Sequence, residues 1–125
     1  MRKVWRLVFV HMDGSRVSAV IPPPWMRTYI DAEGRKQTVS RCLAFSTRAD
    51  AKWFAVAFGP LELWSARAES AKKVQFVSRF EPGNAAFEAA DGKPDGWEKM
   101  DAPTGTLYCH DLRLTGEKPV ATFGE

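Results

Sequence analysis

The chain has 125 residues, enough for one domain and short for two. With 45% hydrophobic and 26% charged residues, it reads as globular and not disordered, and no run approaches the ~20 apolar residues of a membrane-spanning helix. The net charge of +3 conceals a polarity: residues 1–79 carry 14 Lys/Arg against 6 Asp/Glu, whereas residues 80–125 carry 4 against 9.

The first element predicted is a strand from Lys3 to His11. Val4, Arg6, Val8 and Val10 alternate with Trp5, Leu7, Phe9 and His11, the period of two that strands require. Both faces are mostly apolar, which places this strand centrally. Asp13-Gly14 marks a hairpin turn, because glycine accepts positive φ without steric cost. A return strand from Arg16 to Ile21 follows and ends at Pro22-Pro23-Pro24. Residues 26–30 and 36–45 are expected to pair as a second hairpin across the Asp31–Arg35 turn.

Thr47 and Asp50 have the spacing of a capping box. Ala49, Trp53, Phe54, Ala57 and Phe58 then recur at three- and four-residue steps. This pattern predicts one main helix at about 47–58, ended by Gly59-Pro60. Beyond it we expect a strand at 61–67, a turn around residues 70–73 and a strand at 74–81. The stretch 82–104 is rich in turn residues. A closing hairpin is expected, with 105–114 and 119–123 joined at Thr115-Gly116. The predicted fold class is thus α+β: a mostly antiparallel sheet of about six to seven strands built from hairpins, with the helix packed on it, as a single domain over residues 1–125.

The chemistry-bearing residues argue against a local catalytic motif. Cys109-His110-Asp111 is not read as a site, since on a strand His110 faces away from both neighbours. His11, His110, Cys42 and Cys109 lack the paired spacing of a zinc site. A disulfide between the two cysteines needs their Cα atoms within about 7 Å, and the expectation is against one. The N-terminus shows no continuous apolar leader, and two cysteines suit a reducing setting, so a cytoplasmic location is expected. No catalytic residue, cofactor or metal is assigned.

The favoured site is a basic–aromatic surface made by Trp25, Arg27, Tyr29, Arg35, Lys36, Arg41, Lys72, Lys73 and Arg79. Cations follow phosphates, aromatic rings stack on bases, and the same residue types form protein hot spots. An acidic loop with Asp91, Asp95, Glu98 and Asp101 is the second candidate, suited to a basic groove on a partner. The sequence therefore reads as a small interaction protein, accessory or inhibitory, acting on a larger protein or nucleoprotein complex that handles nucleic acid. Direct nucleic-acid binding is the alternative, and a small enzyme centred on His11 or His110 the third. No membrane is implicated.

Overall fold

The computed structural model describes residues 1–18, 27–58, 60–74, 76–78, 99–102 and 104–123, with backbone alone at 56–58, 76–78 and 99–101. In chain order the elements are β1 (Arg2–Val10), β2 (Arg16–Ser18), β3 (Thr28–Ile30), β4 (Val39–Phe45), α1 (Arg48–Phe58), β5 (Leu61–Lys73), β6 (Phe76–Ser78), β7 (Lys99–Asp101), β8 (Thr106–Leu114) and β9 (Ala121–Phe123). Seven strands form one antiparallel sheet, and β6 pairs with β7 separately.

The sheet closes on itself. β1 lies along β5 from Arg2↔Ala68 to Val8↔Glu62, β5 along β8, β8 along β4, and β4 returns to β1 at Trp5↔Phe45. Four strands thus form a small barrel, and closure removes the edges that an open sheet would leave unpaired. β2 and β3 extend from the far end of β1. The Asp13-Gly14 turn joins β1 to β2 as predicted. Gly14 takes φ 87°, and Asp13 accepts hydrogen bonds from both the amide and the hydroxyl of Ser15.

Inward residues of the ring fill it: Val4, Val8, Cys42, Ala44, Trp64, Ala66, Ala68, Leu107, Cys109, Leu112 and Leu114 form one buried cluster with Tyr29, Ile30 and Val39. A second cluster lies on the outer wall, where Ala51 and Ala55 of α1 are buried with Leu7, Phe45, Leu61 and Leu63. The helix begins at the predicted cap: the Asp50 amide donates to Thr47 Oγ1 at 3.1 Å, and the Thr47 hydroxyl donates to Asp50 Oδ2 at 2.8 Å. Its apolar face is only partly the one expected, since Phe54 packs inward as predicted and the side chains of Ala57 and Phe58 lie outside the described residues. Ala49 is exposed and Trp53 is 80% exposed, while Ala51, Phe54 and Ala55 face the barrel.

Three pairings depart from the local hairpins. β3 takes its ladder with β2, and only the isolated bridge Ile30↔Lys36 joins it to the chain leading into β4. No turn forms at 70–73; β5 runs unbroken for 13 residues, because its far half pairs with β8 from Ser70↔His110 to Lys73↔Leu107. The Thr115-Gly116 turn does not make a hairpin either. The Thr115 amide donates to Ser65 O and the Val120 amide to Leu63 O, so the chain steps off β5 and returns to the same edge as β9. Thr115-Gly116 opens this excursion, and β9 continues the line of β8.

Strand alternation also breaks at one level across three strands. Val39 and Cys42 on β4, Ala68 and Ala71 on β5, and Cys109 and Leu112 on β8 all join the interior cluster, although the members of each pair are three residues apart. The residues between them, Ser40-Arg41, Glu69-Ser70 and His110-Asp111, are all exposed. Asp111 has φ 51°, a left-handed conformation that adds one outward residue in the manner of a bulge. His110 therefore lies opposite Cys109 as predicted, but on the same exposed side as Asp111.

Candidate polyanion-binding faces

Among the described residues, the predicted basic–aromatic surface is not assembled as one patch. Tyr29 is 1% exposed and belongs to the barrel interior, so it presents nothing to a partner from the surface. Thr28 is exposed whereas Tyr29 and Ile30 are both buried, and the Tyr29 ring turns inward over Arg6. Trp25 and Arg79 lie outside the described residues. Arg27 is half-buried; its carbonyl accepts the Ser18 amide and its own amide donates to Ser18 Oγ. Arg35 is engaged within its own turn, where Asp31 lies at 2.9 Å and Glu33 at 3.6 Å. Asp31 also accepts from the Arg35 and Glu33 amides. The Arg35 amide contributes most to holding its carboxyl below the usual carboxylate range. The Lys36 ammonium donates to the Gly116 carbonyl. Of the acidic loop, Asp91, Asp95 and Glu98 lie outside the described residues, and Asp101 is described only as backbone in β7.

Two of the predicted cations do come together, from residues 31 apart in sequence. Arg41 on β4 is the cross-strand partner of His110, and Lys72 on β5 is the partner of Tyr108. Both cations are exposed, and β8 lies between them. His110 is held on both sides: Ser70 Oγ lies 3.2 Å from Nδ1 and Tyr108 Oη lies 3.0 Å from Nε2. The rings of Tyr108 and His110 meet at 4.7 Å between centroids, and Lys72 Nζ lies 5.8 Å from the Tyr108 centroid. Tyr108 is buried under this surface against Val74 and Leu43, which fixes the ring that fixes the imidazole. The face offers two exposed cations around an aromatic–imidazole pair, and of these residue types Arg and Tyr are enriched at protein hot spots. Lys73 is exposed at the end of β5.

Sequence reasoning missed a second basic feature. Lys3 on β1 pairs with Arg67 on β5, and Arg67 pairs with Arg113 on β8. Three exposed cations stand abreast on three strands. Among the described residues none of them forms an ion pair. Lys3 Nζ lies 5.4 Å from the Trp5 ring. Alternation alone puts Arg67 on an outward face, but nothing local announces that residues 3, 67 and 113 share a row.

Inside the barrel, Arg6 is 8% exposed. Its Nη1 donates to Leu43 O at 2.6 Å, and the guanidinium lies 4.9 Å from the Tyr29 centroid. Among the described residues, its Nε and Nη2 find no hydrogen-bond partner. Cys42 and Cys109 are direct cross-strand partners and free thiols, so their Cα separation falls in the range a disulfide would need. Burial pushes both thiols up, Cys109 to about 12. They are unreactive as they stand, because the thiolate is the nucleophile.

At the β1–β2 turn, His11 Nδ1 lies 3.6 Å from Asp13 Oδ1. The Ser15 hydroxyl, then its amide, holds the Asp13 carboxyl below its ordinary value. Among the described residues no group of three or more His, Cys, Asp or Glu side chains is placed to hold a metal ion, and no helix is long and apolar enough to cross a membrane. No family model, curated protein or solved structure matches the chain.

Proposed function

We propose that this chain is a small, non-enzymatic interaction protein that acts on a nucleic-acid-handling complex, docking through the outer face of β4, β8 and β5. One observation carries the reading: Arg41 and Lys72 flank the Tyr108–His110 pair on an exposed sheet face. A sheet positions such groups more rigidly than a loop does. The buried Tyr108 ring and the hydrogen-bonded imidazole lose little side-chain freedom when a partner arrives. The cations supply steering toward an acidic or nucleoprotein surface. The partner is a larger protein or nucleoprotein complex.

The test is capture by the tagged full chain from its source cell, with and without nuclease, followed by identification of the captured proteins. Nucleic-acid-handling proteins are expected, retained after nuclease. The double variant Arg41→Glu/Lys72→Glu should recover roughly 5- to 30-fold less, in line with losing 1–2 kcal/mol at a hot spot. Undiminished capture by the double variant, or captured proteins with no connection to nucleic acid, overturns the reading.

A further inference from the structure

We infer that Lys3, Arg67 and Arg113 form a phosphate track for single-stranded nucleic acid on the barrel wall. The inference rests on the reading of a nucleic-acid-associated protein, but on none of the residues that carry that reading.

The row is built from three strands distant in sequence, in register at Lys3↔Arg67 and Arg67↔Arg113. Neighbouring strands lie about 4.8 Å apart, so the three positions span roughly 10 Å across the sheet. Like charges directly opposite each other destabilise a sheet. Here two such contacts stand side by side. The nearest carboxylates along the strands are Glu69 and Asp111, each two residues away, and neither forms an ion pair with the row. The fold thus concentrates positive charge at a stability cost and leaves it unneutralised among the described residues.

A polyanion offsets that cost, and two features favour phosphodiester over a run of carboxylates. Two of the three cations are arginines, whose fork holds phosphate oxygens bidentately. Beside them on the same face, Trp5 is half-buried, with its ring 5.4 Å from Lys3 Nζ, and an indole is a stacking surface for a base. The row also crosses the strands on the convex outside of a closed barrel. A single strand bends over such a wall, whereas a stiff duplex touches it at one point.

The experiment is fluorescence anisotropy of the full chain with a labelled 15-nucleotide oligo-dT, a blunt duplex of the same length and poly-glutamate, at 50 to 200 mM salt. Three phosphate contacts at about 0.7 each give a slope of log K on log salt of about −2, or roughly 20-fold weaker binding over that range. Arg67→Gln and Arg113→Gln should each weaken oligo-dT binding and flatten the slope by about 0.7. Their melting temperatures should hold or rise, since each removes a like-charge contact. Lys52→Gln, an exposed cation on α1 outside both faces, should retain the wild-type slope, and capture by the Arg41→Glu/Lys72→Glu variant reads the docking face separately, so failure of this track is distinguished from failure of that reading. The track is overturned by absent oligo-dT binding at 50 mM salt, by slopes unchanged in both single variants, or by tighter binding to the duplex or to poly-glutamate.

Discussion

Arg6 occupies a position that alternation assigns to the inside of the barrel, between Val4 and Val8, which are both 0% exposed. A charge there is costly, and the local interactions offset only part of that cost. One nitrogen reaches Leu43 O and the guanidinium carbon lies over the Tyr29 ring, while two nitrogens go without partners among the described residues. Replacing a buried ion by an apolar side chain of similar volume is commonly neutral or stabilising by about 1–4 kcal/mol. Arg6→Met is therefore expected to leave the thermal midpoint unchanged or raise it. A loss of more than about 2 kcal/mol would show that the charge is compensated in a way the described residues do not reveal. Tyr29 carries the same lesson at a single position. The alternation of Trp25, Arg27 and Tyr29 says which side chains share a face, but not whether that face meets water.

At the level of elements, chain punctuation was largely legible. The Asp13-Gly14 turn, the Thr47–Asp50 cap and the end of the helix follow from residues that act on their own backbone within a few positions. What escaped was the partner each element takes. The start of α1 shows how a distant segment enters: Gly105, with φ 82°, accepts the Ser46 amide at its carbonyl, and its α-carbon abuts the Asp50 carboxylate of the capping box. A methyl at that position would collide with the Asp50 side chain. The backbone there also disfavours any L side chain. Gly105→Ala should destabilise the fold by about 2 kcal/mol or more, through left-handed strain and the loss of the cap together. Thermal denaturation followed by circular dichroism checks this; an unchanged midpoint would mean that the Asp50 cap yields freely. Similarly, the residues read as a turn at 70–73 carry no turn chemistry of their own. Continued pairing with β8 keeps them extended.

For the molecule as a whole, closure of the ring decides the chemistry. It sets Cys42 against Cys109 in the interior and lines up three distant cations on the exterior. The thiols report on closure. Burial holds the Cys109 proton up to about 12, against an ordinary 9.0, so the folded state contributes stability below pH 9 that is lost as pH rises toward 12. At pH 8, alkylation of the folded protein should run roughly 100-fold or more slower than in denaturant, since the thiolate is both scarce and shielded. Mass spectrometry after iodoacetamide treatment measures this. Equal rates would mean that the barrel opens readily between β4 and β8. The charge polarity of the chain becomes more specific at this scale. The row joins Arg113, from the net-acidic end of the sequence, to Lys3 and Arg67 from the basic portion, so regional charge sums misassign it.

The sequence by itself determined the α+β class, the antiparallel character of the sheet, the first hairpin and the helix with its cap. Each of these depends on side-chain periodicity or on residues acting within a turn of themselves. Only the tertiary structure decided that the sheet closes into a barrel, that Tyr29 and Arg6 are interior, and which cations stand together. Strand register joins residues tens of positions apart through backbone bonds that are the same for every side chain. Nothing in a local pattern of amino acids encodes which distant strand will be the neighbour.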